Sequence, residues 1–176
     1  MSSPRVHHWR ALERGFRYIV GTKDKCMRFH RDSDFRLFAW ADASFQSREQ
    51  ARSQTGYCFS LGATNSMFFI KSQMQATIAQ SSTEAEYVAL YHACCEVVWL
   101  RELLQYMHLP QESTIVYQDN TSTIQWAAGQ ENFHKTKHVD RKYHYIRELW
   151  ADRLIEIRYC PTKAMAADIL TKPLIK

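Results

Sequence analysis

The chain lacks the features that would place it in several broad classes. No apolar run reaches membrane-spanning length, which takes about 20 consecutive residues. Its first residues, MSSPRVHHWR, have no apolar stretch of the kind a secretory signal needs. There is no CxxC pair, and the five cysteines (Cys26, Cys58, Cys94, Cys95 and Cys160) are odd in number and scattered. That argues against a disulfide framework and for reduced, intracellular thiols. There is no internal repeat and no low-complexity segment. Charge of one sign is too weak to decide a partner: 23 Lys and Arg against 18 Asp and Glu leave +5, a mild lean toward anionic partners that ordinary enzymes share. What is present is a foldable chain. Its 176 residues, 45% hydrophobic and 13% aromatic, suit one domain with a real core and some extra length.

Hydrophobic periodicity gives the order of elements. SPRVHHWRALERGFRYIVG spaces Val6, Trp9, Leu12, Phe16 and Ile19 by threes and fours, an amphipathic helix with Pro4 in its first turn and Gly21 at its end. KCMRFH and FRLFAWADASF read as two β-rich runs around the turn RDSD, and GYCFSLG and NSMFFIKS as short strands. A long helix runs from about Ser82 to Met107 and stops before Pro110. TIVYQD is a strand, NTSTIQWAAG a short helix closed by Gly129, and KTKHVDRKYHYIRELWAD a charged helix. LIEIRYC is a strand, and KAMAADILTK a last helix cut off by Pro173. Three strands on short turns, then strands alternating with helices, imply an α/β fold with a mixed sheet and helices on its faces.

Four acids fall at the edges of these elements. Asp42 lies near the end of LFAWAD, Glu86 in the first turns of the long helix, Asp119 at the end of TIVYQD, and Asp168 among Ala166, Ala167, Ile169 and Leu170. Any one alone is better explained structurally; Asp119, just before a helix, has the place of a cap. Four together are another matter, because ligand sites in open sheets form at strand ends. Clustered carboxylates raise each other's pKa and become tolerable when hard cations sit among them. Two such ions about 4 Å apart can hold the attacking and leaving oxygens of a phosphodiester. Glu84 competes with Glu86, since Ser81-x-x-Glu84 and Thr83-x-x-Glu86 both have capping-box spacing.

The blocks FAWADASF, SQTGYCFSLG, QSSTEAEYVAL, CCEVVWLRELL, YQDNTSTIQWA, NFHKTKHVDRKYHYIRE and AADILTKPL follow one another in this order. The chain thereby resembles, from about Arg5 to Leu174, the ribonuclease H domain of Ty1/copia-type LTR retrotransposon polyproteins. The resemblance implies a ribonuclease H-like fold, a mixed five-stranded sheet of three antiparallel strands and then two parallel ones, flanked by helices. It implies an endonuclease that cuts the RNA strand of RNA–DNA hybrids during reverse transcription, with two Mg²⁺ ions for which Mn²⁺ may substitute. By motif, the catalytic and metal-binding acids are Asp42, Glu86, Asp119 and Asp168; Glu86 is preferred to Glu84 because the match is to AEYVAL. Residues 1–24 become the tail of the polymerase connection and 25–176 the ribonuclease H domain. The polymerase domain of the same polyprotein is then a partner, in the cytoplasm within virus-like particles. Two departures stand out. The loop YCPTKAMAAD lacks the histidine that cellular ribonucleases H carry before the last aspartate, Lys163 being the nearest polar cation. The basic handle those enzymes often insert is also missing, which leaves HKTKHVDRKYHYIRE to supply cationic surface.

Substrate contacts are less determined. Ser82 and Thr83, one turn before Glu86, could meet the RNA minor groove and phosphates, or one of them could simply cap the helix. Lys135, Lys137, Arg141, Lys142 and Arg147, with Tyr143 and Tyr145 between them, could track phosphates or form a solvated face. His134 and His138 have the spacing of half a zinc site, with no CxxC to complete it. Trp99, Leu103 and Trp126 take helical core positions and read as packing. The stripe on the first helix either packs on this domain or faces the polymerase. Two rival functions remain: a noncatalytic hybrid-binding module of the connection type, and an integrase- or transposase-like nuclease. Retention of all four acids opposes the first, and a glutamate on the first long helix opposes the second.

Overall fold

LFAWADAS forms the strand β1 (Leu37–Ser44) because its alternate residues serve two different layers. Leu37, Ala39 and Ala41 join the main core, while Trp40 packs with a second, smaller cluster. The computed structural model describes residues 3–45, 52–63, 65–129 and 137–172, with side chains from 141 in the last stretch. Around β1 stand β2 (Gln54–Leu61), β3 (Met67–Met74), β4 (Thr114–Gln118) and β5 (Ile155–Tyr159), in the sheet order β3-β2-β1-β4-β5. The pairs β1–β2 and β2–β3 are antiparallel; β1–β4 and β4–β5 are parallel. This is the expected mixed sheet.

Helices α2 (Ser82–Tyr106), α3 (Thr121–Ala128) and α4 (Lys137–Ala151) follow the expected order. Leu90, Val97 and Leu100 of α2 and Ile146 and Leu149 of α4 meet Tyr57, Phe59 and Val116 of the sheet in one core. Gly129 ends α3 with φ 75°, the left-handed conformation in which a residue with a Cβ is strained. The opposite face of the sheet is covered near Cys58 and Trp40 by the C-terminal segment, through Met165 and Ala167.

Four expectations need correction. KCMRFH is not a strand: its neighbour supplies side chains instead of a backbone ladder, Ser66 Oγ accepting from Arg28 N–H at 2.8 Å and Asn65 Oδ1 from His30 N–H at 2.9 Å. The last helix is two 3-10 turns, η1 (Thr162–Ala164) and η2 (Ala166–Leu170). Met165, extended at φ −72° and ψ 101°, splits the stretch into pieces of three and five residues, which close i→i+3 bonds instead. Trp99 and Leu103 are 52% and 41% exposed, so they are surface residues, whereas Trp126 packs against the main core. The helix α1 (Val6–Gly21) is amphipathic as expected, but Pro4 lies ahead of its Arg5 N-cap and none of its residues is buried. Val6, Trp9, Leu12, Phe16 and Ile19 are each at least half exposed.

Candidate metal centre

The parallel pairing of β1 with β4 brings two of the acids together. Trp40 is opposite Tyr117, so Asp42 and Asp119 each lie two residues further along neighbouring strands. The N-terminal turns of α2 add Glu86 from a third element. One carboxylate oxygen from each of Asp42, Glu86 and Asp119 lies within 4.8 Å of the other two. Asp42 and Glu86 are buried, at 1% and 7% exposure, and Asp119 is half-buried.

The structural alternatives for these acids fall to other residues. Ser81 caps α2, its side chain accepting from Glu84 N–H, and the Glu84 carboxylate reaches back to Gln80 N–H at 2.8 Å. Glu84 is therefore spent on the helix start, and neither Ser82 nor Thr83 is the cap. Asn120, not Asp119, caps α3 by accepting from Thr123 N–H at 3.0 Å. Glu86 accepts from Ala43 N–H at 3.0 Å, and Asp119 from the Thr162 hydroxyl at 2.8 Å.

Burial and mutual repulsion set the carboxylates of the cluster apart from ordinary acids. Burial first, then the charges of Asp42 and Asp119, push Glu86 up to about 9, against the Ala43 N–H and the Gln118 side chain. Burial also raises Asp42, with Asp119 and Asp168 adding to it, while the Thr171 hydroxyl and Lys172 pull the other way. Gln118 is fully buried; its Oε1 accepts from Asp119 N–H and Asn120 N–H, which leaves its amide nitrogen to the Glu86 carboxylate. An all-oxygen set of converging carboxylates in a desolvated pocket fits a hard divalent cation.

Asp168 stands beside this set and not in it. It lies on η2, and its carboxylate is ion-paired with Lys172, whose pKa that contact raises. A cleft of about 260 Å³ opens next to it, lined by Arg52, Gln54, Thr171 and Lys172 among others.

The other predicted contact residues are dispersed. Ser82 is exposed and Thr83 half-buried at the start of α2, close to Glu86 in sequence. On α4, Arg141 is exposed, and Lys142 is half-buried with its ammonium 5.5 Å from the Tyr91 ring centre. Lys137 opens α4, but its side chain lies outside the described residues, as do Lys135, His134 and the side chain of His138. The tyrosines of this segment serve the core: Tyr143 is buried and stacked on Tyr87 at 6.0 Å, and Tyr145 meets Tyr91 at 5.6 Å. Arg147 is tied to Tyr143, its guanidinium donating to the phenol oxygen at 3.1 Å. Sequence reasoning missed Gln118, Thr162, Thr171 and Lys172. Only Gln118, a polar residue closing an apolar strand run, left a visible signal.

No protein-family model matches the chain. It is 34% identical over 173 residues, 98% of its length, to the retrovirus-related Pol polyprotein from transposon TNT 1-94 of Nicotiana tabacum. It is 31% identical over 180 residues, 99% of its length, to that from transposon RE2 of Arabidopsis thaliana. The chain spans only 13% and 12% of those two polyproteins. Among solved structures it is similar to the N-terminal RNase H domain of a Mycobacterium tuberculosis protein (TM-score 0.59, 15% identity, 78% of this chain and 91% of that one). It is also similar to LC11-RNase H1 in complex with an RNA/DNA hybrid (TM-score 0.56, 17% identity, 77% and 93%). A third is the foamy viral protease-reverse transcriptase in complex with dsDNA (TM-score 0.60, 14% identity, 91% and 30%). At these identities the structures show the fold, that of RNase H domains. What the foamy viral match leaves uncovered is shorter than the segment ahead of β1, so that match reaches into the N-terminal segment.

Proposed function

The chain belongs to the Ty1/copia-type retrotransposon Pol polyproteins, and from that premise we propose that it hydrolyses the RNA strand of RNA–DNA hybrids during reverse transcription. The observation that carries the reading is the convergence of Asp42, Glu86 and Asp119 from three elements into one desolvated cluster. Such a cluster opposes folding unless something else needs it. Mg²⁺, or Mn²⁺ in its place, is the cation that fits; two ions held by these acids and Asp168 would supply an activated water and neutralise the leaving oxygen.

The chain's own residues do the rest. Asp42 and Glu86, closed off from solvent, would hold the cations at a fixed place on the sheet edge, and through them the reacting phosphate. Asp119 and Asp168, more open, face the side from which substrate arrives. A hybrid is recognised by backbone shape and 2′-hydroxyls, not by base edges. In this reading Ser82 and Thr83 meet the RNA strand, and Lys137, Arg141 and Lys142 meet phosphates further along. Residues 1–24 form the tail of the polymerase connection, ahead of a ribonuclease H domain at 25–176. The exposed stripe of α1 supports this reading, since it finds no cover among the described residues of this chain. Its partner is the polymerase region of the same polyprotein, in the cytoplasm within virus-like particles.

The test offers the protein labelled RNA–DNA hybrid, duplex DNA and duplex RNA, each with and without Mg²⁺. Cutting of the hybrid's RNA strand alone, in Mg²⁺ alone, is expected. Hybrid binding without cutting would favour the noncatalytic module, and strand transfer on DNA the integrase-like reading.

A further inference from the structure

We infer that Thr171 is a positioning residue for the acid cluster: its hydroxyl fixes the Asp42 carboxylate and ties it to the segment that carries Asp168. The inference rests on the proposed metal-dependent reading of that cluster. Thr171 follows η2 directly and is 8% exposed. Its Oγ1 donates to Asp42 Oδ2, across 129 positions of sequence. The Asp168 carbonyl is also within reach, at 3.1 Å, but that oxygen already accepts from the N–H groups of Thr171 and Lys172. A hydroxyl has one proton to give, and a carboxylate is the stronger acceptor.

The seat for Thr171 is built across three strands. Asp42, Gly56 and Ser72 stand in one register row of β1, β2 and β3. Together they seat Leu170 and Thr171 of the C-terminal segment. Asp42 accepts from Thr171, and Ser72 Oγ donates to the Leu170 carbonyl at 2.6 Å. Gly56 supplies room between them: a Cβ there would stand 2.7 Å from both Leu170 Cβ and Thr171 Cγ2, and 3.1 Å from the Ala167 carbonyl oxygen. Two hydrogen bonds flanking a notch fix both the depth and the direction of the segment.

The chemistry of the donor suits the task. A hydroxyl engages one oxygen of Asp42 and leaves its charge intact, where a cationic donor would neutralise it. Asp42 Oδ1 has no hydrogen bond from a described residue, so it is the oxygen free to take a ligand. Docking of the segment and orientation of Asp42 are thus a single event. Outer contacts of this kind typically govern about 10–100-fold in metal affinity or activity.

Thr171→Val removes the hydroxyl and keeps the shape; Thr171→Ser does the reverse. For each variant and the wild type, the readouts are the rise in melting temperature on adding Mg²⁺, with no nucleic acid present, and kcat and KM on hybrid. Thr171→Val should weaken apparent Mg²⁺ affinity and lower kcat by about 10–100-fold, with KM for hybrid within about two-fold. Thr171→Ser should keep both near wild type. A Thr171→Val protein that binds Mg²⁺ and cuts like the wild type would overturn the inference. So would a Thr171→Ser protein that loses ten-fold or more, and this arm decides the matter even if Thr171→Val does not fold. A wild type that binds Mg²⁺ but cuts no hybrid would count against the proposed reaction, while the melts would still judge Thr171.

Discussion

Asp42 and Glu86 sit where a carboxylate is least at ease, buried and within 4.8 Å of each other's ligand oxygens. In metal-free buffer the folded chain holds a proton on Glu86 up to about pH 9, whereas the unfolded chain releases it near pH 4. The sign follows from linkage: the folded state binds more protons between those values, so the group's contribution is full below about pH 4 and is lost as pH rises toward 9. The melting temperature in EDTA should therefore fall from about pH 5 to 9, and Glu86→Gln should flatten that fall. Parallel profiles for the two proteins would remove the buried acid as its cause. Asp42→Asn, nearly isosteric, should stabilise the metal-free protein at neutral pH by about 1 kcal/mol, and Mg²⁺ should shrink the difference because it binds the wild type more tightly. Melts in EDTA and in Mg²⁺ read this directly, and a clearly lower midpoint for Asp42→Asn in EDTA would make Asp42 a structural acid. Much of this site was legible in sequence, but not its division of labour. Spacing alone left Glu84 and Glu86 tied; the structure separates them because Ser81 takes the cap and Glu84 reaches Gln80. Thr171 was invisible because its partner lies 129 positions away.

At the scale of elements, α1 and α4 carry opposite lessons. The periodicity of α1 was plain in sequence, yet periodicity says only that a face is apolar, not what covers it. Trp9→Ser with Phe16→Ser should change stability by less than about 0.5 kcal/mol per site, as for exposed positions. Leu90→Ala, on the core face of α2, should cost about 2–5 kcal/mol. Chemical denaturation compares the two, and a large loss from the α1 pair would mean the stripe packs on this chain. On α4, Arg141→Ala should reduce the salt dependence of hybrid binding by about one unit of slope without altering the melt. Lys142→Ala should act on both, since its half-buried ammonium stands over the Tyr91 ring. Unchanged slopes in binding isotherms taken across salt concentrations would make α4 a solvated face. The elements that sequence misjudged share a cause. KCMRFH has strand composition but lies against Asn65 and Ser66, whose side chains take up its N–H groups, and KAMAADILTK has helix composition but is split at extended Met165 into pieces of three and five residues. Neighbours and length decided both, and neither is a local property.

For the whole molecule, the order β3-β2-β1-β4-β5 is what makes the site. It sets β1 and β4 side by side in parallel, so two aspartates far apart in sequence end at one edge, with the start of α2 above them. The alternation of strands and helices already implied such a sheet, and the ordered blocks from FAWADASF to AADILTKPL narrowed it to one fold. The C-terminal segment then closes the opposite face and delivers Asp168 and Lys172 to the same edge. The measurement that tests this account most directly is cleavage of an RNA–DNA hybrid labelled on each strand, by the wild type and by Asp42→Asn, in Mg²⁺ and in excess EDTA. The account predicts cuts in the RNA strand only, only by the wild type, and only in Mg²⁺. Undiminished cutting in EDTA, or full cutting by Asp42→Asn, would contradict it.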